Sequence, residues 1–354
     1  MQTATPRAPP PMLSRNNPSR NDVKMAAPTQ PDRRRLEHVL AQVYDQPHVL
    51  TQTKLEEVCN LLDRRLADRA TAAELAAFPP PIPRESDEPP YRVTPGGVAV
   101  LPLQGIIAQR IGLVGRISGG TSSEQFTAAF NQAIADPAVK AVVIDANSPG
   151  GAYGGTPEAA AAVYAARKSG KRIVAVANTQ MDSGAYWIGS AADELVASES
   201  AMLGSVGVYI VHEDASAADQ KAGRKRTIIK AGRWKALHEG ATPLDPAERA
   251  HLQQRADGIY DLFVEAVALH RGVSEEKVLA DFGEGDSMLA REAVAAGLAD
   301  RIATLDQVVA ELDSQAGVST PKGRGIGNRS ISITSLQSGA IPMEPKVKAA
   351  LVAL

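Results

Sequence analysis

The stretch AVVIDANSPGG, residues 141–151, decides the fold. Ala141 to Ile144 form a short apolar run rich in β-branched residues, which reads as a buried strand. The run ends in Pro149 and two successive glycines. A glycine pair at a strand end lets backbone N–H groups turn inward toward a ligand.

The same reading extends outward in both directions. GVAVLPLQGII (97–107) is a strand with a bend at Pro102, and RIVAVAN (172–178) is a second buried strand. Residues 122–136 and 156–169 read as helices, the latter with Thr156 as cap and Pro157 at the first position. A helix starts near Ser183, followed by ELVAS (194–198) and VGVYIV (206–211) as strands. Residues 213–222 read as helical and RTIIKAG (226–232) as a strand. Asp245, Pro246 and Glu248 form a capping box that opens a long helix carrying Leu252, Ala256, Ile259, Phe263 and Ala266. Short buried strands alternating with helices imply an α/β fold.

Five segments follow from composition. Residues 1–32 carry seven prolines and read as a disordered tail. Residues 33–74 read as two helices separated by DQPHVLT, with Leu55, Val58, Leu62 and Leu66 on one stripe of the second. Residues 75–96 are a stiff proline-rich linker. Residues 97–313 form the core, and the polar, glycine-rich residues 314–354 read as a flexible tail.

Lys and Arg total 38 against 40 Asp and Glu, so charge gives no reason to expect a nucleic-acid partner. The single cysteine, Cys59, excludes an internal disulfide framework and a cysteine-based zinc site. The six histidines contain no H-E-x-x-H pair, so neither metal nor cofactor is expected. No long apolar run reads as a membrane anchor, and the N-terminal stretch lacks the apolar centre of a secretory signal. A cytoplasmic location is the expectation.

MDSGAYWIGSAADELVAS (181–198) places Ser183 at a helix start. There it is either an ordinary cap or a nucleophile near the free N–H groups of the first turn. The G-x-S-x-G elbow is absent, so a serine site must draw its activator from elsewhere in the chain. KAGRWKAL (230–237) offers Lys235 beside Trp234, whose ring could desolvate the amine. On residues alone, cap, surface lysine and plain turn are the commoner roles for Ser183, Lys235 and Gly150–Gly151. Ser148 reads as a cap of its turn and Ser190 as a packing residue. His212 and His238 show no spacing that favours a Ser–His pair.

Taken in order, DANSPGG, DSGAYWIGSAADELVA, GSVGV and GRWKAL resemble the signal peptide peptidase A/protease IV family of serine peptidases. The resemblance covers roughly residues 95–312, including the late segment REAVAAGLADRIATLDQVV. It implies a Clp protease/crotonase-like spiral of ββα units. It also implies a Ser–Lys dyad, with Ser183 as nucleophile, Lys235 as general base and Ser205 orienting the lysine. Gly150 or Gly151, with Gly184, would donate N–H groups to the oxyanion. Homo-oligomeric rings occur in the family, with the lysine in some members reaching the serine of a neighbouring subunit. Asp182 stands where the family commonly has a small residue; it is expected to point away from the lysine and help cap the helix.

VYDQPHVLTQTKLEEV (43–58) is similar to the N-terminal piece of lambda-type phage head-maturation proteases of the same family. That likeness implies protein substrates such as scaffold, portal or the chain itself, cut in host cytoplasm or inside a procapsid. The alternatives are a soluble peptidase of the signal-peptide-peptidase type, a crotonase-like acyl-CoA enzyme, and an inactive structural homologue.

Overall fold

A computed structural model describes residues 48–50, 90–110, 120–237 and 239–315. The first elements are β1 (His48–Leu50), β2 (Arg92–Val93), β3 (Val98–Gln104), β4 (Ile107–Ala108) and β5 (Thr121–Ser122), then α1 (Ser123–Ala135). Next come β6 (Ala141–Ser148), β7 (Gly150–Ala152), α2 (Thr156–Ala166), β8 (Arg172–Asp182) and α3 (Gly184–Ser190). They are followed by β9 (Glu194–Ala197), β10 (Met202–Gly204), α4 (Ser216–Lys221), α5 (Pro246–Arg271) and α6 (Glu275–Asp281). The chain closes with β11 (Ser287–Leu289), α7 (Ala290–Ala296), β12 (Arg301–Ile302) and α8 (Leu305–Gln315). The disordered tails, the helical extension apart from residues 48–50, and most of the proline-rich linker lie outside the described residues.

The α/β expectation holds. An eight-stranded sheet runs β11-β10-β8-β6-β3-β2, with β9 pairing the first half of β8 and β12 pairing β9. The central pairs β3–β6, β6–β8 and β8–β10 are parallel. A second sheet has the order β1-β7-β4-β5. Two successive units each give a long strand to the large sheet, a short strand to the small one, and then a helix. They are β3–β4 followed, after the two-residue β5, by α1, and β6–β7 followed by α2. These are the ββα units expected, and their short strands β4 and β7 pair in parallel.

The strand at 141–148 shows why its sequence does not alternate. Val142, Ile144 and Ala146 face the main core with Phe130, Val163, Ile173 and Ile188. Ala141 and Val143 face a second cluster closed by Val308 and Leu312 of α8. Both faces are dry, so both parities of the strand are apolar.

Three local readings change. Helix α2 is capped by Gly155 in a left-handed conformation (φ 86°), with Thr156 already helical and donating its hydroxyl to the Ala152 carbonyl at 2.9 Å. VGVYIV forms no strand beyond one bridge at Tyr209. RTIIKAG is not a strand: Arg226 to Gly232 is exposed throughout, and Ile229 is 97% exposed. Its β-branched residues have strand propensity, but among the described residues no strand edge meets them. The capping box at Asp245 and Glu248 forms as read, with N–H···O contacts of 2.7 and 3.1 Å.

Candidate active site

Ser183 sits at the join between β8 and α3. Its φ of 52° and ψ of −118° are unusual for a residue with a side chain. Such a conformation costs on the order of 1–3 kcal/mol and persists only where the surroundings impose it. Here they do. The Ser183 N–H donates to the Gly204 carbonyl at 2.7 Å, and its own carbonyl accepts from Trp187 N–H at 2.9 Å. Every residue of α3 is buried, and Trp187 stacks on Phe263 with centroids 4.3 Å apart. The Ser183 side chain makes no capping hydrogen bond. Its hydroxyl is therefore not spent on the helix, and the ordinary-cap reading fails.

Strand register places its neighbours. Ser148 pairs with Met181 in parallel, so the chain leaving β6 through Pro149 and Gly150 runs beside Asp182 and Ser183. On the other side Gly204 pairs with Asp182, which sets Ser205 beside Ser183. Three adjacent parallel strands thus end together, at the edge where sites form in parallel sheets. The β6–β8 register shifts after Ala146, whose partner is Ala177, to Asn147, whose partner is Gln180. This irregularity re-aims the end of β8 just before the serine.

The glycine turn has the close backbone approach expected of it. Gly150 has a φ of 97°, and a Cβ on Gly151 would lie 1.8 Å from the Ile107 carbonyl oxygen. Ser148 caps the turn as read: its hydroxyl donates to the Gly105 carbonyl at 2.6 Å and accepts from Gly150 N–H at 3.2 Å. The Gly150 donor is thereby engaged, and Gly151 pairs with Val49 of β1, so both candidate oxyanion donors face other partners in this structure. Gly184 is the first, buried residue of α3.

Ser205 also has a positive φ, 49°. Its hydroxyl donates to the Gly285 carbonyl at 3.0 Å and its N–H to the Asp286 carbonyl at 2.8 Å. With its proton committed, the Ser205 oxygen can only accept from an incoming amine. The turn at 285–287 that holds it carries no motif the sequence reading could use.

Lys235 lies on the loop between α4 and α5, with its N–H on the Gly232 carbonyl at 3.2 Å. Its side chain is exposed in the single chain. The idea that Trp234 walls it from water needs correction. The Trp234 ring stacks on His251 at 4.3 Å, with the Arg233 guanidinium 4.3 Å from its centroid. The ring is occupied by these partners, and the Lys235 side chain beside it is exposed.

Asp182 does not cap α3. It is fully buried, accepts from Gln180 Nε2 at 2.8 Å through Oδ2, and leaves Oδ1 without a hydrogen-bond partner. Burial pushes its pKa up, opposed by hydrogen bonds from Gln180 and Ser287, with Asp286 adding to the rise. A carboxyl whose folded pKa is raised is neutral more readily in the fold than in the unfolded chain. Stability therefore falls as pH rises from the ordinary carboxylate range through the folded pKa. Asp182→Asn is expected to raise Tm at neutral pH, with the advantage shrinking as pH falls toward about 4. Thermal unfolding of both proteins across that range checks this.

Arg167 was not singled out by sequence, yet it anchors the serine helix from behind. Its guanidinium donates to the carbonyls of Ala191 at 2.8 Å and Ser190 at 3.2 Å, and to that of Ala192. A further bond reaches the His270 carbonyl of α5 at 3.0 Å. Arg167→Ala strands these acceptors and is expected to cost on the order of 3 kcal/mol in denaturant unfolding. Ser190 is a buried packing residue, as expected, with its hydroxyl on the Trp187 carbonyl and 3.0 Å from His270 Nδ1. Burial, and then Arg167, push the His270 pKa down to about 4, so it stays neutral. His212 has neither ring nitrogen hydrogen-bonded. His238 lies outside the described residues.

Comparison with known proteins follows the same lines. Residues 165–319 match peptidase family S49. The chain is 29% identical over 282 residues to the head-tail preconnector protein GP5 of Enterobacteria phage P21, covering 76% of this chain and 56% of that one. It is 32% identical over 206 residues to the capsid assembly protease C of Escherichia phage lambda, covering 58% and 46% respectively. Protease 4 of Salmonella typhi is 28% identical over 218 residues, covering 62% and 34%. The chain thus spans about half the length of the phage relatives it matches. The family resemblance read from the motifs is borne out. Among the described residues no helix is long and apolar enough to cross a membrane.

Proposed function

With the peptidase family S49 match over residues 165–319 as premise, we propose that this chain is a serine endopeptidase with a Ser183–Lys235 dyad, acting in capsid assembly. The observation that carries the reading is the strained, buried and uncapped Ser183, set between the glycine turn and Ser205. Strain held in place at one serine beside candidate oxyanion donors is an arrangement suited to a nucleophile.

In this mechanism neutral Lys235 takes the Ser183 proton as the hydroxyl oxygen attacks a peptide carbonyl. The oxyanion is met by N–H groups of Gly151 and Gly184. Lys235 then protonates the leaving amine, and water repeats the attack on the acyl-enzyme. Ser205 accepts from the lysine and fixes its direction. The amine acts as a base only in its neutral form, which requires exclusion of water. Because Lys235 is exposed in the single chain, substrate or a second copy of the chain must supply that exclusion. The exposed Thr227, Ile228 and Ile229 just upstream support a second copy, since assembly would cover them. Specific activity is therefore expected to rise with protein concentration across the range where sedimentation shows association. Activity strictly proportional to protein amount in a purely monomeric sample would contradict this.

The capsid setting rests on the two phage relatives, and the proposed substrates are scaffold, portal or the chain itself. Co-expression with phage capsid and scaffold proteins, in wild-type and Ser183→Ala forms, tests both parts. Intact masses of all chains are compared. Shortened chains in the wild-type sample alone are expected; identical masses in both overturn the reading.

A further inference from the structure

Strand β1 lies on the glycine turn. His48 pairs with Ala152, Val49 with Gly151 and Leu50 with Gly150, in antiparallel register. The other edge of β1 meets Tyr209, four residues beyond Ser205. His48 N–H donates to the Tyr209 carbonyl at 3.0 Å, and Tyr209 N–H to the His48 carbonyl at 3.2 Å. His48 is buried, with its ring 5.9 Å from that of Tyr209. Three residues from about a hundred positions upstream thus run, extended, between the strand of oxyanion candidates and the segment after Ser205.

A peptidase that accepts varied sequences holds its substrate by main-chain pairing, as an added strand. β7 has two edges. One is taken by β4 through Ile107 and Gly151, and β1 takes the other. A peptide that seeks to pair with Gly150–Ala152 finds no free edge while β1 is seated. Because the His48 N–H and carbonyl face Tyr209, those of Val49 face β7 by the alternation of a strand. The seat is also short, and a three-residue strand is readily displaced.

We propose that His48–Leu50 is a built-in substrate mimic that occupies the peptide groove of Ser183 and must be displaced by an extended polypeptide before cleavage. This rests on the peptidase reading above, so its test is made without catalysis.

In a Ser183→Ala background, binding of a fluorescein-labelled synthetic peptide of residues 44–53 (YDQPHVLTQT) is followed by anisotropy. Val49→Pro removes an N–H that faces β7 and is expected to release the strand. Peptide binding should then tighten at least tenfold; equal or weaker binding overturns the proposal. A second variant guards against misfolding. His48→Cys with Tyr209→Cys and Cys59→Ser locks the strand, the paired Cα atoms of a hydrogen-bonded antiparallel pair lying about 5.5 Å apart, within disulfide reach. Binding should be lost on oxidation and return on reduction, and unchanged binding by the locked form overturns the proposal. Failure of wild-type Ser183 to cleave any chain would instead strike the peptidase reading and leave these binding results as they stand.

Discussion

Lys235→Ala is expected to lower kcat by about a hundred- to ten-thousand-fold, the range typical of a lost general base. The hydroxyl of Ser183 is a poor nucleophile until its proton is taken. Ser205 is already committed as a donor to the Gly285 carbonyl and cannot take that proton in the amine's place. The substitution should leave the fold intact, because the Lys235 side chain is exposed. Denaturant midpoints of the two proteins should therefore agree within error while turnover collapses. Lys235→Arg should not rescue, since a guanidinium keeps its proton near neutral pH. Full turnover by the alanine variant would remove Lys235 from the mechanism.

Gly151→Ala should do damage of a different kind. The added Cβ would stand 1.8 Å from the Ile107 oxygen and 2.5 Å from its carbonyl carbon and nitrogen. These are backbone atoms of β4 and cannot swing aside as a side-chain tip could. The glycine strand must move off β4, at a cost of about 3 kcal/mol or more, and the oxyanion candidate moves with it. Both stability and cleavage should fall. Gly154→Ala is the matched control, because its Cβ would meet nothing within 4 Å. Unfolding midpoints and cleavage rates for the pair check the claim; a stable, active Gly151→Ala would contradict the close approach.

What the sequence made legible follows physical rules with short reach. The run at 141–144 had to be buried, and it is covered on both faces. The capping box at Asp245 is a four-residue device and forms where it reads. Ser183 and Ser205 lie side by side, with the turn after Ser148 alongside, because β6, β8 and β10 are neighbouring parallel strands that end in step.

The misreadings depend on partners distant in the chain. Thr227 to Ile229 have the residues of a strand, but among the described residues no edge joins them. HVL at 48–50 is too short to show alternation, and its partner lies a hundred residues later. Asp182 reads as a helix cap because it precedes a helix. The tight turn at Ser183 instead leaves it on the strand, buried beside Gln180. The clamp from Arg167 depends on α2, α3 and α5 meeting, which no local pattern announces.

Mapping the covalent adduct of a fluorophosphonate probe on the assembled protein bears most directly on all of this. Digestion and mass measurement should locate a single adduct on the peptide bearing Ser183, and the Ser183→Ala protein should carry none. An adduct on Ser148 or Ser205 in place of Ser183, or equal labelling of the alanine variant, would contradict the assignment of the nucleophile.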